Sequence, residues 1–73
     1  MSADNYIVVD FVNGEFVIFV GFASDESGSE REIGRSNSID GVQKIVDEYG
    51  YTEYGETWTR DAMLAYGSHV ESR

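Results

Sequence analysis

The 73-residue chain carries 14 acidic against 5 basic side chains, a formal net charge of -9, and it has no cysteine and a single histidine. A chain of this length forms one small domain that buries about 60–65% of its unfolded surface. It has little room for a substrate cleft, no disulfide and no plausible zinc site. The negative field repels nucleic acid and anionic membranes and steers the chain towards basic surfaces; the same charge also suits plain solubility or a high-salt host.

Met1 to Asp4 is a short polar lead, with no turn chemistry beyond Asp4-Asn5, that is expected to fray. The stretch Tyr6 to Phe22, YIVVDFVNGEFVIFVGF, reads as a β-hairpin over about 6–12 and 15–22, closed by Asn13-Gly14 in a type I′ turn. Val12 then faces Glu15, Phe11 faces Phe16, Val9 faces Ile18 and Ile7 faces Val20. Alternation puts Ile7, Val9, Phe11, Phe16, Ile18, Val20 and Phe22 on a core face. Tyr6, Val8, Asp10, Val12, Glu15, Val17, Phe19 and Gly21 fall on a second face that is more apolar than solvation alone requires.

Ala23 to Glu30, ASDESGSE, is an acidic loop. A third strand is expected near 31–36 or 51–59. Ser36-Asn37-Ser38 supplies N-caps for a helix over 39–49, in which Ile39, Val42, Ile45, Val46 and Tyr49 form one stripe that packs on the hairpin. Asp47 and Glu48 oppose the helix dipole at its C-terminus, and Gly50 is placed to stop it in a left-handed conformation. In Tyr51 to Thr59, YTEYGETWT, Gly55 marks a bulge or turn. Thr57 or Thr59 caps a short second helix, about 59–66, that ends at Gly67 and lies over the second hairpin face; 68–73 is expected to fray. The fold class is a small α+β domain, an antiparallel sheet built on the N-terminal hairpin and packed on the 39–49 helix.

No catalytic, cofactor or metal site stands out. The acidic loop fails the EF-hand spacing, which leaves only a loose calcium or magnesium contact at Asp25, Glu26 and Glu30. His69 has no neighbouring soft ligand and lies in the expected tail, so it is read as a bystander, and no nucleophile has a base held by an orienting group. The glycines do not form a phosphate-binding pattern. The aromatic set Tyr49, Tyr51, Tyr54, Trp58 and Tyr66 either packs the rim of the core or, mixed with Glu48, Glu53, Glu56 and Asp61, forms an interface with a basic partner. Without a secretion signal or an apolar stretch of membrane-spanning length, the expected location is cytoplasmic.

The segments NYIVV, VGFASDE and EYGYTEYG, within a short acidic chain that joins a hairpin to a helix, resemble the small inhibitors encoded by phages and other mobile elements, the anti-CRISPR and anti-restriction type, over most of Asn5 to Gly55. The resemblance implies a non-catalytic blocker, at work in a host cytoplasm, whose carboxylates occupy a cationic surface meant for nucleic acid. The partner is then a basic protein or nucleic-acid-binding complex, with no direct contact to nucleic acid or membrane and no cofactor. The candidate contact residues are Asp25, Glu26, Glu30, Glu32, Asp40, Asp47, Glu48, Glu53, Tyr54, Glu56 and Trp58. The alternative is a homodimer or larger self-assembly through Tyr6, Val8, Val17 and Phe19.

Overall fold

Asn13 and Gly14 take φ values of 54° and 85°, the pair of positive angles that a type I′ turn requires. In the computed structural model, which describes residues 4–23 and 30–71, the turn joins β1 (Asn5–Val12) to β2 (Glu15–Phe22). Their register runs from Val12 opposite Glu15 to Asn5 opposite Phe22, with every expected pair in place. The element order continues with β3 (Arg31–Ser36), α1 (Ile39–Tyr49), β4 (Glu56–Trp58) and α2 (Arg60–Glu71).

Both expected sites for a further strand join the sheet, one on each edge, giving the order β3-β2-β1-β4. β3 runs antiparallel to β2, with an irregularity between Ile18 and Phe19. β4 pairs parallel with β1, Ile7 opposite Glu56 and Val9 opposite Trp58, so the four-stranded sheet is mixed. The parallel edge follows from the connection: α1 carries the chain from the β3 edge to the β1 edge before it re-enters the sheet, which a two-residue turn cannot do.

Ile7, Val9, Phe16, Ile18 and Val20 on the sheet are at most 2% exposed and form one core with Val42 of α1 and Ala62 of α2. Fully burying a side chain of this kind contributes about 1.5–3 kcal/mol, and this shared cluster holds the two layers together. Ile33, Ile39, Ile45, Val46, Tyr49, Trp58 and Ala65 pack around it. Gly34 lets α1 approach β3: a Cβ there would lie 3.0 Å from Ile45 Cδ1. Phe22 departs from the core-face expectation, since the chain leaves the sheet there and the side chain is 38% exposed.

Ser38 caps α1 from extended backbone, its Oγ accepting from Gly41 N at 3.1 Å. Gly50 ends the helix with positive φ, 101°, but with ψ of -142°, so the chain leaves extended rather than through the left-handed turn expected. Thr59 caps α2: Oγ1 accepts from Ala62 N at 3.2 Å and donates to Asp10 Oδ1 at 2.8 Å. α2 then runs through Gly67 to Glu71, past the stop expected at Tyr66.

The placement of α2 is a correction. It lies beside α1 on the core face, because the small Ala62, fully buried against the cluster that includes Ile7 and Val9, brings the helix onto the sheet's one closed apolar surface. Among the described residues no element covers the second face. Val17 is nonetheless only 3% exposed. It lies in register between Asp10 and Arg35, and Arg35 reaches both Glu32 and Glu15 on the same side of the sheet.

Candidate functional site

The carboxylates fall into two groups with different surroundings. On the β3 side, Arg35 forks onto Glu32, with Nε to Oε2 at 2.8 Å and Nη2 to Oε1 at 2.7 Å. It also reaches Glu15 at 3.5 Å. Hydrogen bonding from Arg35 holds the Glu32 carboxyl below its ordinary range, and the same contact pushes the Arg35 pKa up. Glu30 accepts from the Tyr6 hydroxyl at 2.8 Å. The Tyr6 ring lies over Gly21, where any side chain would collide with it. Asp25 and Glu26 lie outside the described residues, as does the loose cation contact that included them.

The second group follows α1 and the return to β4. Asp40, Lys44, Asp47 and Glu48 are exposed on the helix surface opposite the stripe that packs on the sheet. The next segment is pinned by Asn5, which is 4% exposed at the start of β1. Its Nδ2 donates to Tyr51 O at 3.1 Å and to the Tyr49 hydroxyl at 3.4 Å, and its Oδ1 accepts from Glu53 N at 2.9 Å. The Asn5 carbonyl accepts from Tyr54 N at 3.0 Å. One buried amide thereby fixes Tyr51 to Tyr54 and presents Glu53 and Tyr54 to solvent. The Tyr54 hydroxyl donates to Asp4 Oδ1 at 3.3 Å, and the neighbouring negative charge of Asp4 pushes its pKa up, so it remains a protonated donor.

Neutral donors aim two carboxylates of this second group. Gln43 Nε2 donates to Asp47 Oδ1 at 2.9 Å, and Trp58 Nε1 donates to Glu56 Oε2 at 2.8 Å. Among the described residues the ion pairs are those of Arg35 alone, so Asp40, Asp47, Glu48, Glu53 and Glu56 stand without a cationic partner.

Trp58 also belongs to a ladder of edge-to-face rings that leads out of the core to Tyr66. Phe11 meets Phe16 at 4.9 Å between centroids, Phe16 meets Trp58 at 5.8 Å, and Trp58 meets Tyr66 at 5.5 Å. These separations lie within the range of favourable aromatic pairing. The ladder opens into a groove of about 530 Å³ lined by Gln43, Trp58, Met63 and Tyr66. The expected placement of the second helix would have put these two α2 side chains over the opposite sheet face. Their helical spacing is visible in the sequence, but the face they pack on depends on contacts distant along the chain.

The four residues expected to mediate self-assembly share the second sheet face, but not as one open patch. Val17 is covered, and Tyr6, Val8 and Phe19 are each half-buried. The charged cluster of Arg35, Glu32 and Glu15 crosses the β3 side of this face.

No group of three or more metal-ligating side chains comes together among the described residues. The hydroxyl–carboxylate contact of Thr59 and Asp10 is engaged in capping α2 and in holding Phe11 N, 2.8 Å from Asp10 Oδ1. No helix among the described residues is long and apolar enough to cross a membrane. The fold and surface define a small two-layer α+β domain with one acidic, aromatic flank. The chain matches no family model, no curated protein and no solved structure.

Proposed function

We propose that the protein is a non-catalytic acidic binding module that captures a basic protein and, where that partner handles nucleic acid, blocks it by occupying its cationic surface. The observation that carries this reading is the run of carboxylates without cationic partners from Asp40, Asp47 and Glu48 on α1 to Glu53 and Glu56 before and within β4. Carboxylates held on a rigid helix and a pinned segment can compete with phosphates for the same lysines and arginines, and uncompensated charge steers the encounter. Glu32, closed by Arg35, contributes less to this surface, and Glu30, which accepts from Tyr6, stands apart from it on the β3 side.

Affinity capture from the host lysate, eluted in rising salt, tests the reading. A basic nucleic-acid-handling protein is expected to elute as salt rises, and the Asp47→Lys/Glu48→Lys double variant should lose it, most clearly at low salt. Capture undiminished by the double variant rules out the α1 surface as the contact.

The second face, which no element among the described residues covers, supports one further reading, assembly of copies through Val8 and Phe19 around the covered Val17. Light scattering after chromatography separates the two. A dimer that persists in high salt and dissociates on Phe19→Glu favours assembly, whereas a monomer in both forms favours the acidic module.

A further inference from the structure

We infer that the groove between α1 and α2 seats an amphipathic basic polypeptide segment, with an apolar side chain of the partner over Trp58, Met63 and Tyr66 and its flanking lysines or arginines on Asp47 and Glu56. The inference rests on the acidic-module reading and moves the centre of the contact from charge alone to an apolar seat. The groove, about 530 Å³, falls within the range of about 300–1,000 Å³ common for binding pockets. Its lining is unusually open for large side chains: Met63 is 57% and Tyr66 44% exposed, beside Leu64 at 64%.

Charge complementarity selects the occupant. Two of the four lining residues each hold a carboxylate, Gln43 that of Asp47 at 2.9 Å and Trp58 that of Glu56 at 2.8 Å. An amide and an indole orient these oxygens without neutralising them, leaving their charge for an incoming cation. A second copy brings its own charge of -9, and an anionic membrane is repelled in the same way. A helix or turn with apolar residues between basic ones satisfies both the floor and the rim. An arginine there can also lie against the exposed ring of Tyr66.

Trp58 is the only tryptophan in the chain, so its emission reports on the groove directly. The probe is a short helical peptide of leucine and lysine, with leucines at three- and four-residue spacing, compared with an oligolysine of equal charge. Binding to the full chain is measured by Trp58 emission and by calorimetry near physiological salt. The leucine–lysine peptide is expected to shift the emission and to bind at least about tenfold more tightly than oligolysine. Met63→Ser should weaken it about tenfold while leaving oligolysine unchanged, since the side chain is a surface anchor. Glu56→Gln, which keeps the shape and removes the charge, should weaken both peptides.

Equal affinity for the two peptides with a silent Met63→Ser overturns the groove and leaves the acidic module standing. Tight leucine–lysine binding with unmoved Trp58 emission and a silent Met63→Ser places the contact elsewhere and also overturns it. Failure of both peptides to bind removes the groove and the acidic module together.

Discussion

The β3 flank and the α1–β4 flank use the same residue types to opposite ends. Along β3, Glu32 and Glu15 converge on one guanidinium and Glu30 takes a tyrosine hydroxyl, so these carboxylates help to cover the sheet. Along α1 and the segment up to β4, the carboxylates meet an amide, an indole or solvent. Formal charge cannot distinguish these cases, whereas a cationic partner can: among the described residues the ion pairs are those of Arg35, on the β3 flank. Gln43 and Trp58 position Asp47 and Glu56 without bringing a positive charge, and both donors line the groove with the exposed Met63 and Tyr66.

The largest expected effect breaks this contrast at its support. Asn5→Ala removes the amide that holds Tyr51 O and Glu53 N and leaves these groups to find other partners near the sheet edge. The Asn5 side chain is nearly buried and bonds to Tyr49, Tyr51 and Glu53. Its removal should therefore cost about 2–3 kcal/mol, measured by urea unfolding. Partner binding should fall as well, because Glu53 and Glu56 lose their fixed placement. Unchanged stability would show that the 51–54 segment is held by β4 pairing alone, and the α1–β4 flank would then owe nothing to Asn5.

Asn5 also marks the limit of what the sequence conveys. The hairpin was legible to the residue because its determinants are local: two turn residues with positive φ and two alternating runs. α1 was legible from its apolar stripe and its serine cap. Asn5 and Glu53 stand 48 positions apart, and nothing near Asn5, at the end of a polar lead, signals a buried anchor. The segment 51–59 was legible as strand-forming in composition, but only Glu56 to Trp58 pairs, since Asn5 captures the residues before it. The acidic residues were all visible, whereas their division by Arg35 depends on the register of β3. The groove depends on which sheet face α2 chooses, and the buried Ala62 decides that. Its small side chain is unremarkable in a sequence.

A smaller effect reverses the usual sign of a helix substitution. Gly41→Ala in an ordinary helix interior gains up to about 1 kcal/mol, but here a Cβ would collide with Ser36 Oγ beside the Ser38 cap. The variant should instead destabilise by about 1 kcal/mol or more in thermal or urea unfolding. A gain in stability would show that Ser36 yields freely and that the cap cluster does not fix the approach of α1.

Glu48→Lys sharpens the contrast by separating stability from binding. The last turn of α1 has no basic residue, so a cation there should stabilise the fold by about 0.3–1 kcal/mol through the helix dipole. If Glu48 belongs to the contact surface, the same change should weaken the partner, most at low salt. A stabilised variant with unaltered binding would mark this carboxylate as a matter of solubility.

The smallest effect tests the compensated flank. The Arg35 hydrogen bonds hold the Glu32 carboxyl below the ordinary glutamate value of 4.5. A folded-state pKa below the unfolded one stabilises the fold fully at pH above the unfolded value, and that contribution is lost as pH falls through the folded midpoint. Because Glu32 and Arg35 are exposed, the fork should register in the titration of the carboxyl itself more clearly than in unfolding. Following the Glu32 carboxyl carbon by NMR should give a midpoint below 4.5, and Arg35→Gln should return it upwards. An ordinary midpoint in the unaltered protein would mean that the fork opens in solution. Glu32 would then join the carboxylates without a cationic partner, and the division between the two flanks would fall with the Arg35 fork.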